Sequence, residues 1–300
     1  MAPTLTILAP THDRAEVLAR VWPTWMAQQG LSEIVIVDDG STQDYRNVFN
    51  EMRAACTERG INLKVIRSDA RRGAPAAKNL GLEHCTSEEL LTTDDDILLP
   101  ADMVAQCRVD RPEQADPVIV GPRVIYLKDG ESEKDALARA DEDRTDYFNY
   151  RSLTLTPWVN TVTVRSFPFV TAVALWPASL FKRGLRYHEG YGGNGYREET
   201  DPQLTALAEY SASIFLVPRA VCFHLPPSLA YVKRGGQRRG NRLWFEFWVH
   251  YNNAKFLARH RETLRTLDSS LFESWISLFR DRLGARKIVK YLSGGQRGVK

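Results

Sequence analysis

The sequence predicts an α/β fold built on a parallel sheet covered by helices. Three observations lead there. Short apolar runs alternate with segments of helical period through the first hundred residues. Two of those runs end in acidic clusters, Asp38-Asp39 and Asp94-Asp95-Asp96, and in such sheets ligands sit at the carboxyl ends of the strands. The chain, 300 residues with 43% hydrophobic and 26% charged side chains, is also long enough to bury a substantial core.

In order along the chain, Thr4 to Ala9 reads as a buried strand and Pro10-Thr11-His12 as the loop after it. Asp13 with Glu16 fits a capping box for a helix whose Val17, Leu18, Val21, Trp22, Trp25 and Met26 recur at helical spacing. Pro23 is expected to kink or divide that helix. Glu33 to Val37 is a second strand. Ser41 or Thr42 is expected to cap the next helix, whose apolar face is Tyr45, Val48, Phe49, Met52 and Cys56. Leu63 to Arg67 is a third strand, Ala74 to His84 a helix and Leu90 to Thr93 a fourth strand. Further on, Pro117 to Leu127 reads as one or two strands, Glu131 to Arg144 as a charged surface helix or loop, and Thr161 to Leu175 as a strand pair. Gly184 to Gly195 is a Gly-rich loop, Glu199 to Tyr210 a helix, and Ile214 to Val217 and Val221 to Phe223 are strand-like. Long helices are expected over Leu243 to Arg265 and Leu271 to Tyr291.

Composition narrows the function. A formal net charge of +3 is too small to indicate nucleic-acid binding. Cys56, Cys85, Cys107 and Cys222 form no CxxC pair, which argues against a zinc site and for reduced thiols in a cytoplasmic protein. The apolar start is too short for a signal peptide, and no window approaches the roughly 20 apolar residues of a membrane span. No GxGxxG and no P-loop is present, so dehydrogenases and P-loop kinases have no motif.

Three adjacent carboxylates, Asp94-Asp95-Asp96, repel one another unless a cation compensates, and hard divalent cations choose oxygen ligands. An acidic turn is the alternative. In Asp38-Asp39-Gly40-Ser41 a carboxylate can accept from a base N–H or a ribose hydroxyl; a plain strand-to-helix turn explains the same residues. Arg71, Arg72 and Lys78 lie between the clusters, placed to hold a pyrophosphate or to pair with the acids, or else as solvated charge.

Taken together, LTILAPTHDR, EIVIVDDGS, RRGAPAAKNLGL and LLTTDDDILLP resemble the nucleotide-binding half of family 2 glycosyltransferases, closely over residues 4 to 110 and more loosely to about 225. The resemblance implies the GT-A fold, a Rossmann-like, mostly parallel sheet flanked by helices, here with C-terminal helices. It divides the chain into a nucleotide-binding half (1–110), an acceptor-binding half of the same domain (111–230) and a helical extension (231–300). It implies that Pro10, Thr11, Asp38 and Asp39 surround the base, commonly uracil, that Asp94 meets the ribose, and that Asp95 is the main metal ligand with Asp96 second. Where the family usually has a further Asp two residues before the main ligand, this chain has Thr93. The run from Gly190 to Asp201 resembles the family's Gly-rich acceptor loop and acidic motif. Glu199 takes the position of the catalytic base that removes the acceptor hydroxyl proton, with Glu198 and Asp201 as alternatives. An acidic helix start is the structural reading of the same residues. His224 stands where many relatives complete the metal shell.

The implied activity is an inverting, metal-dependent transfer of a sugar from a nucleotide diphosphate-sugar, with UDP as the expected nucleotide and Mn²⁺ or Mg²⁺ as cofactor, to an acceptor hydroxyl on a carbohydrate, a lipid-linked or a small molecule. A sugar-phosphate nucleotidyltransferase shares the architecture but wants a Gly-rich basic N-terminal signature that HDRAEV lacks; a non-catalytic carbohydrate-binding protein has no need of a metal and base set. Lys233, Arg234, Arg238, Arg239 and Arg242 suit a lid over the pyrophosphate, solvated charge or contact with anionic lipid. In the C-terminal stretch, Leu271, Phe272, Trp275, Ile276 and Phe279 are expected to pack on the core, with peripheral contact at the inner membrane surface as the alternative.

Overall fold

The structure, a computed structural model, describes residues 2–114, 116–230, 242–266 and 271–283. Four strands form the first half of the sheet: β1 (Leu5–Thr11), β2 (Leu31–Asp38), β3 (Asn62–Arg67) and β4 (Glu89–Thr92). They run parallel in the order β3-β2-β1-β4. The connecting helices are α1 (Ala15–Trp25), α2 (Arg46–Glu58) and α3 (Ala74–Leu82). The chain leaves β1 toward β2 and β3 and later returns to β4 on the other side of β1, so the strand order reverses at the carboxyl ends of β1 and β4. That is where an open α/β sheet forms its ligand crevice.

The sheet continues without a break into the second half. After the two-residue β5 (Ile97–Leu98) and α4 (Met103–Val109) come β6 (Val118–Tyr126), α5 (Glu133–Glu142), the β7 (Phe148–Asn149) and β8 (Thr154–Leu155) hairpin, β9 (Arg165–Ser166), β10 (Ala174–Pro177), α6 (Ala178–Lys182), α7 (Asp201–Tyr210) and β11 (Ser213–His224). β10 runs antiparallel between β4 and β6, β6 pairs with β11 in parallel, and β5 and β9 add to β11 antiparallel. The last elements are α8 (Pro227–Ala230), α9 (Arg242–Arg259), α10 (Arg261–Thr266) and α11 (Leu271–Leu283). No described helix is long and apolar enough to cross a membrane.

Alternation along the strands builds two cores, one on each face. Leu5, Ile7 and Ala9 of β1 meet Leu18, Val21, Trp25 and Met52 of α1 and α2, while Leu8 of β1 turns to Ala77 and Leu82 of α3. The second core also takes Phe169, Trp176, Leu204 and Phe256, which is how α9 is held to the domain.

Several local expectations are corrected. Asp13 makes no capping box: its carboxylate accepts from the backbone N–H groups of Thr42 and Gln43, and the residue before α1 is Arg14. α1 runs on through Pro23 to Trp25. Ser41 and Thr42 do not cap α2, which starts at Arg46; Ser41 Oγ accepts from Asp13 N instead. Both turns bind each other rather than their own helices, a long-range preference that local patterning does not contain. Thr161 to Leu175 is not a hairpin, because β9 pairs with β11 and β10 with β4 and β6. The two strands expected around Val217 and Val221 are one, β11, with a register shift between those residues. Trp275, Ile276 and Phe279 of α11 do not pack on the core but lie exposed, and the helix buries Ser277 and Leu278 instead.

Candidate active site

A cavity of about 570 Å³ opens over the carboxyl ends of β1 and β4. One wall is Pro10, Thr11, His12, Arg14, Asp39, Arg71, Gly73 and the Asp94-Asp95-Asp96 triplet. Across from it stand Tyr126, Trp158, Asn194 to Thr200 and His224. Sequence regions separated by a hundred residues thus face the same space.

The β2 turn divides its two acids. Asp38 is buried and accepts from Arg67 Nη1 and from Ser41 N, so it braces the turn and does not line the cavity. Asp39 does line it, with its carboxylate accepting from the N–H groups of Arg72 at 2.7 Å and Gly73 at 2.8 Å. Gly40, at φ +65°, allows this arrangement: a Cβ there would stand 2.5 Å from the backbone of Ala70 and Arg71. Arg71 lines the cavity; Arg72 reaches outward to Glu189 at 3.4 Å.

The triplet after β4 is organised around a residue that was not among the candidates singled out from the sequence. Arg14 bridges Asp95, at 3.0 Å, and Asp96. Asp95 also accepts from Thr11 Oγ1 at 2.6 Å. Burial pushes the Asp95 carboxyl up to about 7, against the pull of Arg14 and with the push of Asp96. Arg14 is held firmly as a cation: burial disfavours its charge, but Asp95 and Asp96 outweigh burial. Asp94 is the most open of the three acids.

His224, at the end of β11, donates from Nδ1 to the Leu225 carbonyl at 2.7 Å, which leaves Nε2 as the basic nitrogen, 3.4 Å from Asp96 Oδ2. The Tyr126 ring stacks on the imidazole at 4.7 Å. Two carboxylates and an imidazole nitrogen are donors that suit a hard divalent cation. As the site stands, the carboxylates are held by Arg14, and among the described residues no group of three or more His, Cys, Asp or Glu side chains is arranged to hold a metal ion.

The three candidate bases separate clearly. Asp201 turns away from the cavity into a buried network with His260 at 2.7 Å, Arg259 at 3.0 Å and Tyr191 at 2.8 Å. Burial alone raises a carboxylate, yet these partners hold Asp201 below its ordinary value. Glu198 is buried with Oε1 2.8 Å from Lys78 Nζ, while Oε2 has no hydrogen-bond partner among the described residues. Lys78 is itself buried, lies 3.8 Å from Asp94, and does not line the cavity. Burial disfavours the Lys78 charge, but Glu198 and Asp94 outweigh it and raise its pKa. Glu198 is raised as well, up to about 7, because burial and the charge of Glu199 exceed the help it has from one shared lysine. Glu199 is half-buried, lines the cavity and receives no hydrogen bond from another of the described residues; burial raises its pKa as well. α7 starts at Asp201 rather than at Glu199, so Glu199 lies in the preceding turn and not on the helix.

That turn is built around Arg197, a non-glycine residue at φ +78°. Its guanidinium donates to Asn253 Oδ1 on α9 and to the carbonyls of Leu153 and Ser152. Below it, α9 also supports the Gly-rich loop: Trp248 lies against Gly192 and Gly193, and Asn252 donates to the Gly192 carbonyl at 2.8 Å. Phe245 of α9 and Arg282 of α11 reach the cavity wall. Lys233, Arg234, Arg238 and Arg239 lie outside the described residues.

The sequence from 6 to 171, more than half of the chain, matches the model of Glycosyl transferase family 2. The chain belongs to this family. Within it, the chain is 34% identical to the succinoglycan biosynthesis protein ExoU of Rhizobium meliloti (strain 1021) over 97 residues, covering 31% of this chain and 27% of that protein. The chain therefore matches about a quarter of the length of that relative. Among solved structures, it is similar to TarS 1-349 of S. aureus in complex with UDP-GlcNAc (TM-score 0.52, 16% identity, 93% of this chain and 80% of that one). It is also similar to the mannosyltransferase PcManGT of Pyrobaculum calidifontis in complex with GDP-Man and Mn²⁺ (TM-score 0.53, 18% identity, 98% and 80%). At these identities the likeness shows the fold, and the fold is GT-A. As a family 2 member the chain carries the expected α/β architecture.

Proposed function

We propose that this protein transfers a sugar from a nucleotide diphosphate-sugar to an acceptor hydroxyl in one displacement that inverts the anomeric centre. The observation that carries this reading is Glu199. Its carboxylate faces the same cavity as the acidic triplet, accepts no hydrogen bond from another of the described residues, and is made more basic by burial. Glu199 takes the acceptor hydroxyl proton as that oxygen bonds to the anomeric carbon and the bond from that carbon to the diphosphate oxygen breaks. Asp201, committed to His260 and Arg259, positions α7 and does not act as base.

In this reading Pro10, Thr11 and Asp39 border the base, commonly uracil, with Asp38 bracing their turn and Asp94 nearest the ribose. Arg71 meets the pyrophosphate in the cavity, rather than Arg72 or Lys78. Asp95, Asp96 and His224 would hold a divalent cation, Mn²⁺ or Mg²⁺, in exchange for contacts with Arg14. Such a cation neutralises the charge that develops on the departing diphosphate. Binding of UDP-GlcNAc by TarS and of GDP-Man with Mn²⁺ by PcManGT supports a nucleotide-sugar donor and leaves two bases to compare. Residues 1–110 form the donor side and residues 111–230 the acceptor side of one sheet.

The test is sugar release from UDP- and GDP-sugars with Mn²⁺ and with EDTA, followed by NMR of the product. Release that stops with EDTA, from one nucleotide series, and a product of the opposite anomeric configuration are expected. Retained configuration refutes the single displacement. Pyrophosphate release from a nucleoside triphosphate and a sugar phosphate would instead mark a nucleotidyltransferase.

A further inference from the structure

Arg14 holds the two carboxylates that the proposed metal needs. Its Nη1 lies 3.0 Å from Asp95 Oδ1, and its Nη2 pairs with Asp96 Oδ2. Asp95 Oδ2 accepts from Thr11 Oγ1 at 2.6 Å, which turns Oδ1 to Arg14. Asp96 Oδ2 is also the carboxylate oxygen 3.4 Å from His224 Nε2. The guanidinium therefore occupies the oxygens that, with His224, make up the donor set.

Two features mark this arginine as replaceable rather than as a fixed brace. It reaches two carboxylates with one nitrogen each, instead of clasping one of them with a parallel pair of bonds, which is the stronger arrangement. Its Nε is buried and has no hydrogen-bond partner among the described residues. Arg108, an arginine that braces the fold, differs: it donates from Nε to Glu89 and from its two Nη atoms to the carbonyls of Gln29 and Pro3. The Arg14 backbone is anchored, since its N–H donates to the Tyr45 hydroxyl at 2.7 Å, while its side chain lines the cavity. Side-chain rotation alone can thus change its partners while α1 stays in place.

We infer that Arg14 competes with a divalent cation for Asp95 and Asp96 and, once displaced, pairs with the diphosphate of the donor. The inference rests on the metal-dependent sugar-transfer reading. Charge sets the direction of the exchange. Arg14 brings one positive charge to two carboxylates, and a divalent cation brings two. A cation that arrives alone must leave a buried guanidinium without its anions, which is unfavourable. A cation that arrives with a nucleotide diphosphate does not, because phosphate oxygens suit the planar guanidinium fork. Arg14 in this way makes the binding of cation and nucleotide depend on each other, and such coupling is reciprocal.

The experiment is calorimetric titration of Mn²⁺ into the full chain, alone and with UDP or GDP at saturation, for the wild type, Arg14→Met and Arg14→Lys. The wild type is expected to bind Mn²⁺ weakly alone and about tenfold or more tightly with the nucleotide. In Arg14→Met, Mn²⁺ alone should bind about tenfold more tightly than it does to the wild type, and the nucleotide should improve it much less. Arg14→Lys keeps the charge but not the fork that reaches both carboxylates, so its affinity for Mn²⁺ alone should fall between the two. Melting temperature is read beside each titration; where the Met variant does not fold, the Lys variant decides. Mn²⁺ binding to the folded variants at wild-type strength or below overturns the inference, and so does an undiminished effect of the nucleotide in Arg14→Met. Either result leaves the sugar-transfer reading standing, because the wild type still takes up Mn²⁺ with the nucleotide. A wild type that takes up no Mn²⁺ even with nucleotide overturns the inference together with the metal assignment, and sugar release in EDTA then shows whether transfer survives them.

Discussion

Lys78 is the point where one cation serves several acids, and replacing it with Met tests that arrangement. The substitution keeps an unbranched apolar stem and removes the charge. Lys78 and Glu198 expose only 1% and 5% of their side chains, so water does little to screen the pair. Removing one partner of a buried ion pair costs about 3–5 kcal/mol. Proton uptake relieves part of that cost. Glu198, already raised to about 7 from an ordinary 4.5, rises further without Lys78, at about 1.4 kcal/mol per unit. The sign follows from proton counts. Between the unfolded value of 4.5 and the raised folded value, the folded variant holds a proton that the unfolded chain has released. Its stability therefore falls as pH rises through that window. Urea denaturation at about pH 5.5 and pH 8 is expected to show a smaller deficit at the lower pH and the full deficit at the higher. The same cation restrains Glu199, whose pKa burial raises and Lys78 lowers. The acid limb of kcat should therefore move to higher pH in Lys78→Met. A variant within about 1 kcal/mol of wild type at pH 8 would refute the buried-pair reasoning. An unmoved acid limb would refute the coupling of Lys78 to the base.

Glu199→Gln is expected to lower kcat by about 10² to 10⁴-fold with donor KM nearly unchanged, because a base acts only in the transition state. In the wild type, kcat should rise with pH through a value above that of an ordinary glutamate, since burial raises Glu199 and only its ionised form accepts the proton. Asp95→Ala is expected to abolish metal-dependent binding of UDP in calorimetry while circular dichroism stays native; unchanged affinity would remove Asp95 from the metal set. Gly40→Ala forces a Cβ onto the backbone of Ala70 and Arg71 at a φ that disfavours L side chains. It should cost about 1–3 kcal/mol and raise donor KM, because the Asp39 turn must shift. A native melting temperature together with native KM would show that the turn yields without consequence.

Much of the first half of the sheet was legible from residue order alone. Apolar runs of strand length, helical periods between them and acids at the run ends sufficed to locate β1, β2, β4 and the carboxylates beside the cavity, because strand formation and burial leave their period in neighbouring residues. Local signals failed where a polar group had a distant option. The Asp13, Ser41 and Thr42 groups read as helix caps, yet they bond one another across nearly thirty residues. Arg14 sat inside a motif that was recognised, but nothing near it in sequence says that its guanidinium reaches Asp95 and Asp96, more than eighty residues away. Arg197 carried no signal beyond its neighbours, since its positive φ and its partners on α9 exist only in the folded chain.

The sequence by itself determined the fold class, the strands of the first half of the sheet, and which acids gather at their ends. Those properties follow from side-chain periodicity and turn chemistry, which act over a few residues. Tertiary structure alone decided which acid is available. Glu198, Glu199 and Asp201 are interchangeable on paper. Folding brings Lys78 to Glu198 and His260 with Arg259 to Asp201, and leaves Glu199 facing the cavity. It also decided the outward face of α11, where an apolar stripe that fits a core or a membrane equally well in sequence turns Leu278 inward and Trp275, Ile276 and Phe279 outward. Pairing and exposure of this kind depend on which surfaces meet across the whole chain, and no short window of residues contains that information.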